Sequence, residues 1–259
     1  MNTLSSVTAR LAAHTLKDIE GLSEASFGFC RSECQQLPPK LPGSFDQLTS
    51  HLFLSTDIEP TQWMSKGENI PHFDEVTKRY TEPKGKVTAF YQPSPEQSQL
   101  LFKFDPSIGI VVITQFSGLR DGSLAWETKG TVACDRTSET FIFVCSHRVR
   151  DGRCGFCGPI LVDLLRKRIS EVLGPQAPVH VFPCSHLGGH VYAGNVLVYS
   201  RHGGVCFGCF CPSDIDALVD GVKQELRSIP TSLTPKVRGT MGYPAPAYMC
   251  KSERFCNTN

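Results

Sequence analysis

The sequence predicts a mixed α/β protein, an α+β mixed sheet in which a C-terminal β-α-β-β-β-α unit follows a smaller sheet-containing domain. Three observations predict this. Short apolar or alternating runs rich in β-formers recur along the chain; two stretches carry apolar residues at helical spacing; Pro, Gly and charged segments separate them. The 259 residues suffice for two modest domains.

Taken in order, residues 1–45 lack sustained periodicity and end in LPPKLPGS, which reads as tail and linker. Their start holds Arg10, His14 and Lys17 with no acid before Asp18, a pattern shared by mitochondrial presequences and ordinary tails. An N-terminal α/β domain is expected over 46–133. Its strands are HLFLS (51–55), VTAFYQ (87–92), QLLFKF (99–104) and IGIVVIT (108–114), with one short helix near Trp63. It holds no chemical constellation, and a binding or scaffolding role is expected of it.

A second domain is expected over 134–240. TFIFVC (140–145) is a continuous apolar run, as for a strand buried on both faces. Pro159 suits the first turn of a helix, where its missing N–H costs nothing. Ile160, Leu161, Leu164, Leu165, Ile169 and Val172 then recur at helical spacing until Gly174-Pro175. VHVFP (179–183), NVLVYS (195–200) and VCFGCF (205–210) read as strands. Ser213 caps a last helix, with Ile215, Leu218, Val219, Val222 and Leu226 as its buried stripe. A βαβ unit thus joins a ββα unit, the order of the thioredoxin core, and the smaller domain reads as a degenerate thioredoxin-like copy. Residues 241–259 form an unassigned tail.

Lys+Arg 26 against Asp+Glu 25 leaves a formal net charge of +1, which argues against nucleic-acid or anionic-membrane partners. No apolar run approaches the ~20 residues of a membrane span, and no secretory h-region follows the start. A cytoplasmic location is expected, with the mitochondrial matrix as the alternative.

Twelve cysteines without a secretory signal point to metal, cluster or redox chemistry rather than to a disulfide framework. Cys145, Cys154, Cys157, Cys184, Cys206, Cys209 and Cys211 all fall within 145–211, with His147, His186, His190 and His202. Two loops hold the candidate ligands, CSHRVRDGRCGFCGP (145–159) and CSHLGGHVYAGN (184–195). Loops at one end of adjacent strands can converge. Gly188 and Gly189 each disfavour helix by ~1 kcal/mol against Ala, so His186 and His190 belong on a turn. Two thiolates and two imidazoles suit tetrahedral zinc or a [2Fe–2S] cluster, and spacing alone does not choose.

Other readings compete at these positions. His147 and Cys184 each complete a C-x-H unit and could replace a ligand. Cys154 and Cys157 could serve as a dithiol at a helix N-terminus, where thiol pKa falls. Cys206, Cys209 and Cys211 read as buried structural thiols in a strand-like run. Cys30-x3-Cys34 stands apart.

FVCSHRVRDGRCGFCGP, PCSHLGGHVYAGNVLVYS and RGTMG (238–242) together resemble the sucrase/ferredoxin-like family, with a weaker likeness around HLFLSTDIEPTQW (51–63). The resemblance implies a [2Fe–2S] cofactor held by Cys145, Cys154, His186 and His190 on a thioredoxin-like fold. It implies an electron carrier or redox sensor rather than an enzyme, with redox donor and acceptor proteins and the iron–sulfur assembly machinery as partners. Sugar chemistry is not expected, because glycoside hydrolysis needs a positioned carboxylate pair and the matching strings offer only Asp151. Two alternatives remain: a zinc-stabilised or metal-free thioredoxin-like interaction module, and a dithiol-disulfide oxidoreductase using Cys154 and Cys157.

Overall fold

The computed structural model describes residues 11–80, 82–93, 99–116 and 133–243. The start of the presequence-like stretch, with Arg10, and the tail beyond 243 lie outside them. Among these residues ten strands form one mixed sheet in the order β10-β9-β8-β6-β7-β2-β1-β3-β4-β5. The strands are β1 (Ser50–Thr56), β2 (Gly85–Tyr91), β3 (Gln99–Asp105), β4 (Gly109–Phe116), β5 (Ala133–Asp135), β6 (Thr140–Cys145), β7 (Val179–Cys184), β8 (Val196–Ser200), β9 (Gly203–Phe207) and β10 (Val237–Met241).

The two halves repeat one topology. In the first, β1 pairs parallel with β2 and antiparallel with β3, and β4 and β5 extend the far edge antiparallel. In the second, β6 pairs parallel with β7 and antiparallel with β8, and β9 and β10 extend that edge likewise. The halves meet where β2 lies antiparallel to β7, at Phe90 and Cys184. The second half carries its crossover helix between β6 and β7, so β6-α-β7-β8-β9-α is the predicted thioredoxin-like order.

Strands β1 and β6 are separated by two others, so a flat sheet would hold them ~14 Å apart at ~4.8 Å per strand. Instead the rings of Phe53 and Phe143 stack at 3.8 Å, and Phe104 stacks on Tyr199 at 4.2 Å. The sheet therefore folds over, and the facing surfaces of its halves enclose an aromatic core of Phe53, Phe90, Phe102, Phe104, Phe141, Phe143 and Tyr199. His51 is buried there between Tyr199 Oη (2.8 Å) and Thr88 Oγ1 (2.7 Å), and burial holds its pKa well below the usual imidazole range. Period-two alternation sends Leu52 and Leu54 to the opposite face, against helix α4 (Phe73–Arg79). On the outer face of the second half, Ile142, Val144, Val196 and Val198 pack under α5 (Gly152–Leu173) and α6 (Ile215–Lys223).

Three expectations need correction. Helix α5 starts at Gly152, not at Pro159, which lies inside it; Cys154 and Cys157 therefore sit in helical turns rather than on a loop. Asp151 sets this start by accepting a hydrogen bond from the Arg153 N–H at 2.9 Å. The run 205–210 leaves strand geometry after Phe207, so Cys209 and Cys211 follow β9. The segment read as tail and linker carries three short helices, α1 (Ala13–Asp18), α2 (Glu24–Phe27) and α3 (Ser32–Gln35), and buries Leu41 and Phe45. No sustained periodicity marks these elements, because helices this short are held by tertiary contacts.

Candidate metal centre

Parallel pairing of β6 with β7 puts Cys145 opposite Cys184 at the strand ends, so the segments that follow leave from the same edge. One enters α5 and the other carries Ser185–Asn195. Glycine lets the first turns of α5 approach the end of β6 closely. A Cβ at Gly158 would stand 2.4 Å from the Cys145 carbonyl oxygen, and one at Gly155 would meet Arg148 at 2.6 Å. That approach brings Cys154 to Cys145. In the other segment His186, two residues past the end of β7, reaches the two thiols, and the turn at Gly188 and Gly189, both in the left-handed region (φ 89° and 63°), brings His190 back beside it.

The ligand atoms of Cys145, Cys154 and His186 lie within 4.8 Å of one another, with both thiols buried and the imidazole half-buried. His190 opens a 3-10 turn (His190–Tyr192) and is exposed. Its ring centroid stands 5.8 Å from that of His186, and its Nε2 is 4.0 Å from Asp151 Oδ2. Three of the four sequence-predicted residues thus converge, and the fourth borders them from the solvent side. Nδ1 of His186 is buried without a hydrogen-bond partner. Such an atom costs ~1–3 kcal/mol unless something ligates it.

Electrostatics favour charged sulfur here. The Cys154 S–H beside it holds the Cys145 thiol well below its ordinary pKa, against burial and with help from His186 and the Leu187 N–H. Cys154 is correspondingly pushed up by Cys145 and by burial. Two cations, the half-buried Lys86 and the buried Arg238, clamp the second segment: Lys86 donates to the Leu187 carbonyl at 2.8 Å and Arg238 to the Gly188 carbonyl at 3.0 Å. Both lie over the Phe45 ring, at 5.4 and 5.7 Å. Against the cost of its own burial, Asp151 is held below the ordinary carboxylate range by Arg153.

The competing residues lie elsewhere. His147 is buried, with Nε2 3.0 Å from the Met64 carbonyl and its ring edge-on to Trp63. Cys184 packs in the aromatic core, where burial pushes its thiol pKa up. Cys157 is fully buried, its S–H 3.4 Å from the Phe27 carbonyl, and burial pushes its pKa up to about 12. Sequence reasoning missed Lys86 and Arg238, and only the RGTMG string pointed toward the latter.

The family model described as sucrase/ferredoxin-like matches residues 41–239. Among curated proteins, Altered inheritance of mitochondria protein 32 of Meyerozyma guilliermondii is 36% identical over 87 residues, 32% of this chain and 29% of that protein. Its namesake in Debaryomyces hansenii is 33% identical over 102 residues, 38% of this chain and 36% of the relative. Actin patches distal protein 1 of Saccharomyces cerevisiae is 34% identical over 83 residues, 29% and 26% of the two chains. The matched stretches thus span about a third of the length of these relatives. No solved structure matches.

Proposed function

This chain belongs to the sucrase/ferredoxin-like family, and from that premise we propose that it is an electron-transfer or redox-sensing protein carrying a [2Fe–2S] cluster on Cys145, Cys154, His186 and His190. The observation that carries the reading is the convergence of two buried thiols and one imidazole within 4.8 Å. The orphaned Nδ1 of His186 and the nearby ring of His190 support it. The residues fit the group: sulfur donors are interior, imidazole donors are toward solvent, and a backbone N–H and two cations offset the negative charge. When bound, such a cluster supplies one-electron chemistry. Two-histidine Rieske centres fall at about −150 to +300 mV, against about −400 mV for all-cysteine plant-type ferredoxins.

The chain's own residues divide the remaining work. Cys145 and Cys154 anchor from the rigid ends of β6 and α5. Lys86 and Arg238 fix the segment that bears the histidines. Asp151 places a carboxylate 4.0 Å from His190, whose imidazole stays in contact with water. The exposed side of His190 is the proposed approach for redox donor and acceptor proteins. Cluster-assembly proteins would load the site from the same side. The proposed compartment is the cytosol, with the mitochondrial matrix as the alternative; the relatives named for altered inheritance of mitochondria support the latter.

The test is anaerobic purification with iron and sulfide analysis and EPR of the reduced protein, for wild type and His186→Cys. Two irons and two labile sulfides per chain, with an EPR signal that moves in the variant, are expected. Colourless protein holding one zinc would remove the electron-carrier reading.

A further inference from the structure

A second group of thiols lies apart from the candidate metal centre. Cys34, in α3, meets the turn that follows β9. Its side chain packs in one apolar cluster with Cys209, Tyr192 and Leu41. Cys211 packs instead against the core under α5 and α6, with its S–H directed at the Cys209 carbonyl oxygen at 3.3 Å, so Cys209 is the thiol that shares a cluster with Cys34. Cys209 is held in the left-handed region (φ 50°) by its own N–H, which donates to the Tyr192 carbonyl at 2.9 Å. A non-glycine residue is strained in that conformation.

Arg31 supplies the chemical argument. Only 6% exposed, its guanidinium donates to the carbonyls of Phe27, Gly28 and Ala193 and stands 3.5 Å from Cys34 Sγ and 3.4 Å from Cys157 Sγ. None of these partners is a carboxylate. A buried cation without an anion is costly, and a thiolate at Cys34 offsets it. Contact with Cys209 and Cys211, against the cost of burial and with help from Arg31, holds the Cys34 thiol down to about 3. The cation also disfavours a divalent metal among these thiols.

We infer that Cys34 and Cys209 form a reversible redox pair, which a small-molecule disulfide such as oxidised glutathione closes into a disulfide bond. The Cys34 thiolate attacks one glutathione sulfur, forming a mixed disulfide and releasing the first glutathione as thiolate. Cys209 passes its proton to the released glutathione thiolate and attacks the Cys34 sulfur, releasing the second glutathione as thiolate. The two protein thiols give up two electrons and the glutathione disulfide takes them. The bond fastens α3 to the turn after β9, and reduced glutathione reverses it.

The test uses the full chain, equilibrated in buffers of varied oxidised-to-reduced glutathione ratio, capped with N-ethylmaleimide and mapped by mass spectrometry without reduction. The expected result is a Cys34–Cys209 linkage that rises with the oxidised fraction and is lost in excess reduced glutathione. Cys34→Ser and Cys209→Ser abolish it, whereas Cys211→Ser retains it. Circular dichroism matching wild type keeps a misfolded variant from counting. A Cys34–Cys211 linkage, a stable glutathione adduct on Cys34, or a capped Cys34 at every ratio would each overturn the inference.

Discussion

Arg238 offers the sharpest prediction about how the fold holds its centre. It is 1% exposed, and it donates to Ser44 Oγ (3.0 Å), the Ser44 carbonyl (2.9 Å), the Gly188 carbonyl (3.0 Å) and Asn195 Oδ1 (2.8 Å). Arg238→Met keeps the apolar stem but strips a donor from these four acceptors, at about 1 kcal/mol each. The guanidinium also lies 5.7 Å from the Phe45 ring centroid and 5.1 Å from that of Tyr192, a further contribution of about 1 kcal/mol. Relief from burying a charge returns part of this, so the expected net loss is about 3 kcal/mol, roughly a hundredfold in the folding equilibrium. With a urea slope near the upper end for single domains, about 3 kcal/mol per M, the midpoint drops by about 1 M. Metal content falls in parallel, because the Gly188 carbonyl belongs to the segment carrying His186 and His190. Arg168→Met is the control, since the side chains of its ion pair with Asp216 are 42% and 71% exposed. An Arg238→Met midpoint no lower than that control, with metal retained, would refute the clamp.

Gly158→Ala puts a Cβ 2.4 Å from the Cys145 carbonyl oxygen; it should push α5 off the end of β6 and lower metal content even where circular dichroism persists. His186→Ala and His190→Ala should both lose iron; a full complement in His190→Ala would take that residue out of the ligand set. Phe143→Ala removes a 0% exposed ring stacked on Phe53 and should cost about 3–5 kcal/mol in urea unfolding, and a loss under about 1 kcal/mol would contradict the folded-over sheet. His51 binds its proton less tightly folded than unfolded, so its contribution to stability is complete above the unfolded pKa of ~6.5 and is lost as pH falls below it, by at most ~1.4 kcal/mol per pH unit. Wild type should therefore lose stability more steeply between about pH 6.5 and pH 5 than His51→Gln does, and equal slopes would count against the buried neutral imidazole.

Much of this was legible from the residues in order. Apolar runs gave the strands, because a strand buried on both faces must be apolar throughout. The spacing of Ile160, Leu161, Leu165 and Ile169 gave the body of α5. The thiols and imidazoles of 145–190 announced donor chemistry, since thiolate and imidazole alternating this densely suit a shared metal better than a disulfide framework. The start of α5 was misread because Pro159 suits a first turn, whereas Asp151 had already capped the helix two turns earlier. What sequence could not give was which distant groups meet. The stacking of Phe53 on Phe143, the reach of Arg238 and Lys86 to consecutive carbonyls, and the approach of Cys34 to Cys209 join segments far apart in the chain. Local propensity carries no record of such contacts. The Phe53–Phe143 stack and the Lys86 contact exist because two copies of one strand order share an edge and close face to face.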